Sequence, residues 1–111
     1  MTFSVEVERR ADAAVVVMKG DLDIASEAKA TAQLERAMDG CGVLIADLRE
    51  LAFLDSTGVR VLLSAHLRAR EQGLRFGVVR GDGMVARLLE VTRIADRFPV
   101  VDDPAELIDA A

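Results

Sequence analysis

Asp55-Ser56-Thr57-Gly58 sets one carboxylate and two adjacent hydroxyls directly before an apolar helical pattern. Residues of these types at such a place could cap a helix, attack a substrate or accept a phosphate. Capping is the ordinary use, because Asp, Ser and Thr satisfy the orphan amides of a first turn. One capping residue would suffice, however, and neither Ser56 nor Asp55 has the Glu or Gln three places on that a capping box requires. The pattern therefore supplies more side-chain oxygen than a helix start needs, and leaves capping and a functional hydroxyl both open.

Nucleophilic catalysis would need a base within hydrogen-bond reach of Ser56. The chain has one histidine, His66, ten residues along the same predicted helix. At 1.5 Å per residue that is about 15 Å away. Leu54 also stands where a Gly-x-Ser-x-Gly elbow requires glycine. A Ser–His hydrolase is thereby disfavoured, and no catalytic residue is assigned. His66 reads as a semi-buried helix residue and Cys41 as a small buried filler. Gly81-Asp82-Gly83-Met84-Val85-Ala86 fits G-x-G-x-x-A, with Asp102 about twenty residues on, and so resembles a dinucleotide fingerprint. The helix after it is short and the chain lacks room for the rest of such a site, so a Gly-rich strand-to-helix turn is expected, with no cofactor. No His, Cys or acid cluster has metal-ligand spacing. Asp21-Leu22-Asp23 precedes the first helix as Asp55 precedes the second, so these acids are expected on one rim of the sheet. They could equally be two independent helix-start acids.

The elements that must position these residues follow from periodicity. Ser4 to Arg9 alternates as a half-exposed strand, Arg10-Ala11-Asp12 turns, and Ala14 to Lys19 is a β-branched strand that Gly20 breaks. A helix is expected from Ile24 to about Met38, with Ile24, Ala28, Thr31, Leu34 and Met38 on its apolar face and Gly40 and Gly42 ending it. Val43 to Ala46 reads as a buried strand. Leu48 to Asp55 reads as a packed-down connection anchored by Leu51, Phe53 and Leu54. The second helix spans about Ser56 to Glu71, with Val59, Leu62, Leu63, His66, Leu67 and Arg70 along one side. A strand follows over Leu74 to Val79, then a helix over Met84 to Val91 and a short fifth strand over Phe98 to Val101. Asp103-Pro104-Ala105-Glu106 signals a last helix running to Ala110. Strands joined by helical crossovers are parallel, whereas the first hairpin is antiparallel. The expected class is α/β, a small mixed sheet packed with helices, in one domain over residues 3–110.

Composition narrows the function classes. The 111 residues are 51% hydrophobic and 30% charged, typical of a globular domain. A net charge of −5, with neither Trp nor Tyr, argues against nucleic acid, which needs clustered Lys and Arg with aromatics to stack bases. The longest apolar run, Ala13 to Met18, is far below the roughly 20 residues of a membrane span. With no signal-peptide pattern and a single cysteine, the expected location is the cytoplasm.

Gly20-Asp21-Leu22-Asp23, the Val43–Asp47 run and Phe53-Leu54-Asp55-Ser56-Thr57-Gly58-Val59 together resemble the STAS domain of bacterial anti-sigma-factor antagonists. The resemblance covers about residues 3 to 110. It implies the STAS fold, a four- to five-stranded mixed sheet with about four helices, and a partner-switching role without catalysis. In such proteins the unphosphorylated antagonist binds an anti-sigma factor that is also a serine kinase, freeing a sigma factor for transcription. The kinase phosphorylates the serine after the motif aspartate, which matches Ser56, with Thr57 the alternative. A metal-dependent serine phosphatase removes the phosphate. Asp21, Asp23, Asp55, Ser56, Thr57, Gly58 and Arg60 are the expected partner-binding residues. Arg60 departs from the pattern, since the family often has a small residue there, and it adds positive charge one turn past the acceptor. A phosphate at this helix start is expected to meet free amides. Competing readings are a STAS module serving a sensory or transport complex, and a small nucleotide-binding domain using the Gly81 turn.

Overall fold

A computed structural model of the chain describes residues 2–108. Five strands form one sheet in the order β1-β2-β3-β4-β5: β1 (Ser4–Arg10), β2 (Ala13–Leu22), β3 (Val43–Leu54), β4 (Arg75–Val79) and β5 (Val100–Val101). β1 and β2 are an antiparallel hairpin, and every later neighbour is parallel. The crossovers are the helices α1 (Glu27–Ala37), α2 (Ser56–Glu71) and α3 (Gly83–Val91), and α4 (Ala105–Ile108) follows β5. The mixed α/β class and the expected strand directions both hold. The predicted end of the last helix, Ala110, lies outside the described residues.

The central strands read as unbroken apolar runs because both faces of the sheet are covered. Ala14, Val16 and Met18 of β2 and Leu44, Ala46 and Leu48 of β3 face the larger core, which α1, α2 and α3 close. Val15 and Val17 alternate to the opposite face and join Val43, Ile45, Val79 and Leu107 of α4. Arg9 of β1 braces the end of α1, donating from Nη1 to the carbonyls of Ala37 at 3.1 Å and Asp39 at 3.2 Å.

Three expectations need correcting, and two of them shape the site. Gly20 does not end β2. The strand runs on to Leu22, with Gly20 at φ 91°, and a Cβ there would overlap the Thr2 carbonyl. Residues 48–54 are likewise no connection but the second half of β3, paired to β2 through Lys19↔Glu50, Gly20↔Leu51, Asp21↔Phe53 and Leu22↔Leu54. Asp47, Arg49 and Glu50 interrupt the apolar pattern and concealed this strand. In the fold, Asp47 is only 2% exposed and is neutralised by Arg49, whose Nε and Nη2 donate to its two oxygens at 3.0 and 2.8 Å. Glu50 pairs with Lys19 at 3.6 Å. Bulges between Val17 and Lys19 and between Gly20 and Asp21 let this two-stranded arm twist beyond the end of β4.

The third correction concerns helix faces. α1 begins at Glu27, and Ile24 lies in the turn before it, 77% exposed. Its buried side is Ala30, Leu34 and Ala37, rotated from the expected Ala28 and Thr31. In α2, Val61, Ala65 and Ala69 are buried with Val59 and Leu62, whereas Leu67 is 58% exposed and Arg70 faces solvent. Alanine carries little hydrophobic signal, yet its small side chain lets a helix approach the sheet closely. The alanine stripes therefore chose the inward faces.

Candidate functional site

The arm formed by the ends of β2 and β3 carries the candidate residues. Leu22 and Leu54 are paired, both fully buried, and each is followed by an aspartate. Neighbouring strands lie about 4.8 Å apart, so Asp23 and Asp55 leave the sheet side by side. Asp21, Asp23 and Asp55 are each half-buried at these adjacent strand ends.

Asp55 resolves the excess of oxygen at the helix start. It is the N-cap of α2 in extended conformation, and its Oδ1 accepts from the amides of Thr57 at 3.0 Å and Gly58 at 3.2 Å. The first helical bond, from Val59 N to the Asp55 carbonyl, measures 3.0 Å. Capping is thereby complete without Ser56. That residue is exposed, and among the described residues its hydroxyl has no hydrogen-bond partner. Thr57 is 9% exposed and Gly58 is buried. A Cβ on Gly58 would overlap Leu54 Cδ1 and lie 3.0 Å from the Leu22 carbonyl, so its absence lets α2 start hard against the arm. Arg60 is exposed one turn further on. Asp55, Thr57 and Gly58 therefore build the platform, and Ser56 is the hydroxyl it displays.

The same geometry corrects one expectation. The amides of Thr57 and Gly58 already donate to Asp55, so they are not free to receive a phosphate on Ser56. The helix dipole still favours an anion there, but a carboxylate holds the position. A phosphate would stand outward with that like charge at its back.

Beside Ser56 lies an apolar groove of about 480 Å³, lined by Phe53, Met84, Leu88 and Val91 with Arg87 at its side. Met84 and Val91 are exposed apolar residues on this one groove. Nothing in the sequence pattern marked this groove, because it joins β3 to α3 across thirty residues of chain. Ser26 was also missed: its hydroxyl is buried beneath the Asp21–Ser26 turn.

The remaining candidates fall elsewhere. His66 sits half-buried on α2, its ring 5.3 Å from that of Phe98 and 6.0 Å from that of Phe76. Burial, with Arg70 and Arg97 nearby, pushes its pKa below the usual histidine value. Cys41 is buried and its thiol pKa is raised, chiefly by desolvation, as suits a filler. Asp102, the acid of the dinucleotide-like pattern, is held by Arg80 at 2.7 Å, which lowers its pKa. Gly83 starts α3 at φ 60° and Asp82 makes no capping bond. Among the described residues no group of three or more acids, His or Cys could hold a metal. No described helix is long and apolar enough to cross a membrane.

Comparison with known proteins agrees with this architecture. An anti-sigma F factor antagonist of Paenibacillus polymyxa is 25% identical over 105 residues, covering 93% of this chain and 90% of that one. The crystal structure of an anti-sigma factor antagonist from Mycobacterium paratuberculosis superposes with a TM-score of 0.87 at 22% identity, over 98% of this chain and 93% of the other. The Bacillus cell fate determinant SpoIIAA in its phosphorylated form gives 0.71 at 17% identity, over 96% and 97%. Those two likenesses speak for the fold. The sequence itself matches the STAS domain family over residues 4–107, and with the fold and the Asp55–Ser56 platform in place, the chain belongs to that family.

Proposed function

We propose that this protein is an anti-sigma-factor antagonist that works by binding and has no catalysis of its own. Its unphosphorylated form binds an anti-sigma factor that is also a serine kinase, and so frees a sigma factor. Phosphorylation of Ser56 ends that binding, and a metal-dependent serine phosphatase restores it. The observation that carries this reading is the exposed Ser56 hydroxyl, without a hydrogen-bond partner among the described residues, on a helix start already capped by Asp55. A hydroxyl released from capping is free to react. In the transfer, Ser56 Oγ attacks the γ-phosphorus of ATP as the bond to ADP breaks, and its proton passes to a base of the kinase.

The surroundings suit a protein partner. The groove of Phe53, Met84, Leu88 and Val91 offers an apolar patch next to Ser56, and Asp55 and Arg87 give it a charged edge. Interfaces commonly have this plan of apolar centre and polar edge. A phosphate adds about −1.5 to −2 charges at the junction of patch and edge. Asp55 already occupies the Thr57 and Gly58 amides, so the phosphate stands beside a carboxylate and the partner must meet bulk and charge together. A loss of about 2.7 kcal/mol would weaken binding a hundredfold.

The reading is tested by incubating the protein with Mg-ATP and each purified serine kinase of the anti-sigma type from the same genome. Intact mass and peptide mapping should report one phosphate, on Ser56. Modification of Thr57 instead, or of no residue with any kinase, would contradict it.

A further inference from the structure

Ser26 occupies the N-cap position of α1, yet its hydroxyl makes no bond to that helix. It is 6% exposed and turns back beneath the chain. Oγ donates to the Asp21 carbonyl at 2.7 Å and accepts from the Asp23 amide at 3.0 Å. The Ser26 amide donates to the Asp23 carbonyl at 3.1 Å, and the Ala25 amide to Asp23 Oδ1 at 3.0 Å. One buried hydroxyl thus ties both ends of the segment from Asp21 to Ser26. Alanine at this place would remove the donor to the Asp21 carbonyl and the acceptor of the Asp23 amide.

What the tied segment displays is Asp23 and Ile24. Ile24 is 77% exposed at the apex of a turn whose backbone is fixed from inside. The segment leaves the sheet at Leu22, the strand neighbour of Leu54, and so stands beside Asp55 and Ser56. A large apolar side chain on a braced turn, two residues past the strand neighbour of Leu54, is placed for contact with a partner that spans from the acceptor to the start of α1.

We propose, resting on the reading of Ser56 as a kinase substrate, that Ser26 is a positioning residue for that reaction. Its hydroxyl holds the Asp21–Ser26 turn in the shape in which Asp23 and Ile24 meet the kinase. Ser26 touches neither Ser56 nor the transferred phosphoryl group. Its contribution is to order the turn before the encounter, which lowers the entropy lost on binding. Loss of the hydroxyl therefore raises KM and spares kcat, since the interaction is equally present in ground and transition states.

The test measures steady-state phosphorylation of wild type, Ser26→Ala, Ser26→Thr and Ile24→Ala by the kinase that modifies Ser56, with thermal unfolding and amide exchange of each protein alone. Ser26→Ala should raise KM roughly tenfold with kcat within about twofold, as expected for one lost ordering interaction. The Asp23 and Ala25 amides should exchange faster in that variant while those of Thr57 and Gly58 do not. Ser26→Thr should restore KM, a rescue that general destabilisation does not produce. Ile24→Ala lies on the surface and should raise KM with an unchanged Tm, so the proposal remains testable if Ser26→Ala folds poorly. A wild-type protein left unmodified by every kinase would refute the switch itself. Wild type phosphorylated on Ser56, with KM unmoved in Ile24→Ala or with kcat carrying the loss in Ser26→Ala, would refute the positioning role alone.

Discussion

At the start of α2, Asp55 does the capping and Ser56 is left exposed beside it. Removing the Asp55 carboxylate leaves the Thr57 and Gly58 amides without their acceptor. Asp55→Ala should therefore lower stability by about 1 kcal/mol, read by urea denaturation, with faster exchange of those two amides. Ser56→Ala removes no hydrogen bond and should unfold with the wild type. It should still bind the anti-sigma partner and resist release by ATP, whereas Ser56→Asp should bind more weakly, since one charge imitates phosphate only in part. A Ser56→Ala protein that fails to bind while folded would show the hydroxyl to be a contact instead of a switch. At this scale the sequence was informative about which types met, but not about who caps whom. That assignment depends on the rotation of one carboxylate. Ser26 was illegible for a related reason: a serine before a helix reads as a cap, and only the fold shows its hydroxyl turned the other way.

Among the elements, the bulged arm of β2 and β3 decides where the site stands. It brings Leu22 and Leu54 into register and so aligns the two aspartates that follow. α2 must begin tight against this arm, and Gly58 permits that. Gly58→Ala should clash with Leu54 and the Leu22 carbonyl, a net loss of about 1–2 kcal/mol after the better helix propensity of alanine is allowed for. Calorimetry would show it as a lower Tm; an unchanged or higher Tm would mean that the arm yields easily. The helices and the first hairpin were legible because their periodicity is undisturbed. The arm was not, because Asp47, Arg49 and Glu50 put charges inside the strand: Asp47 is paired within it by Arg49, and only the fold supplies Glu50 with Lys19 of the next strand. The Phe53–Val91 groove was hidden too, since no local pattern joins β3 to α3.

Across the whole molecule, the proposed switch at Ser56 is a surface feature, whereas His66, Phe76 and Phe98 form an aromatic cluster at the core. His66 has its pKa lowered by burial first and by Arg70 and Arg97 second. The folded chain therefore takes up this proton less readily than the unfolded chain, in which histidine titrates near 6.5. Below about pH 6.5 the unfolded state holds more protons, so this contribution to stability is complete above that pH and declines as pH falls toward the folded pKa. Denaturant midpoints between about pH 5 and 7.5 should fall more steeply on the acid side for wild type than for His66→Gln. Identical slopes would contradict a shifted His66. The central claim concerns the other part of the surface, where one phosphate is to be read by a partner while the fold stays as it is. It is tested most directly by titrating the purified anti-sigma kinase, in the same buffer, with unmodified protein and with protein stoichiometrically phosphorylated on Ser56. The account predicts an affinity about a hundredfold weaker for the phosphorylated form. Equal affinity for the two forms would contradict it.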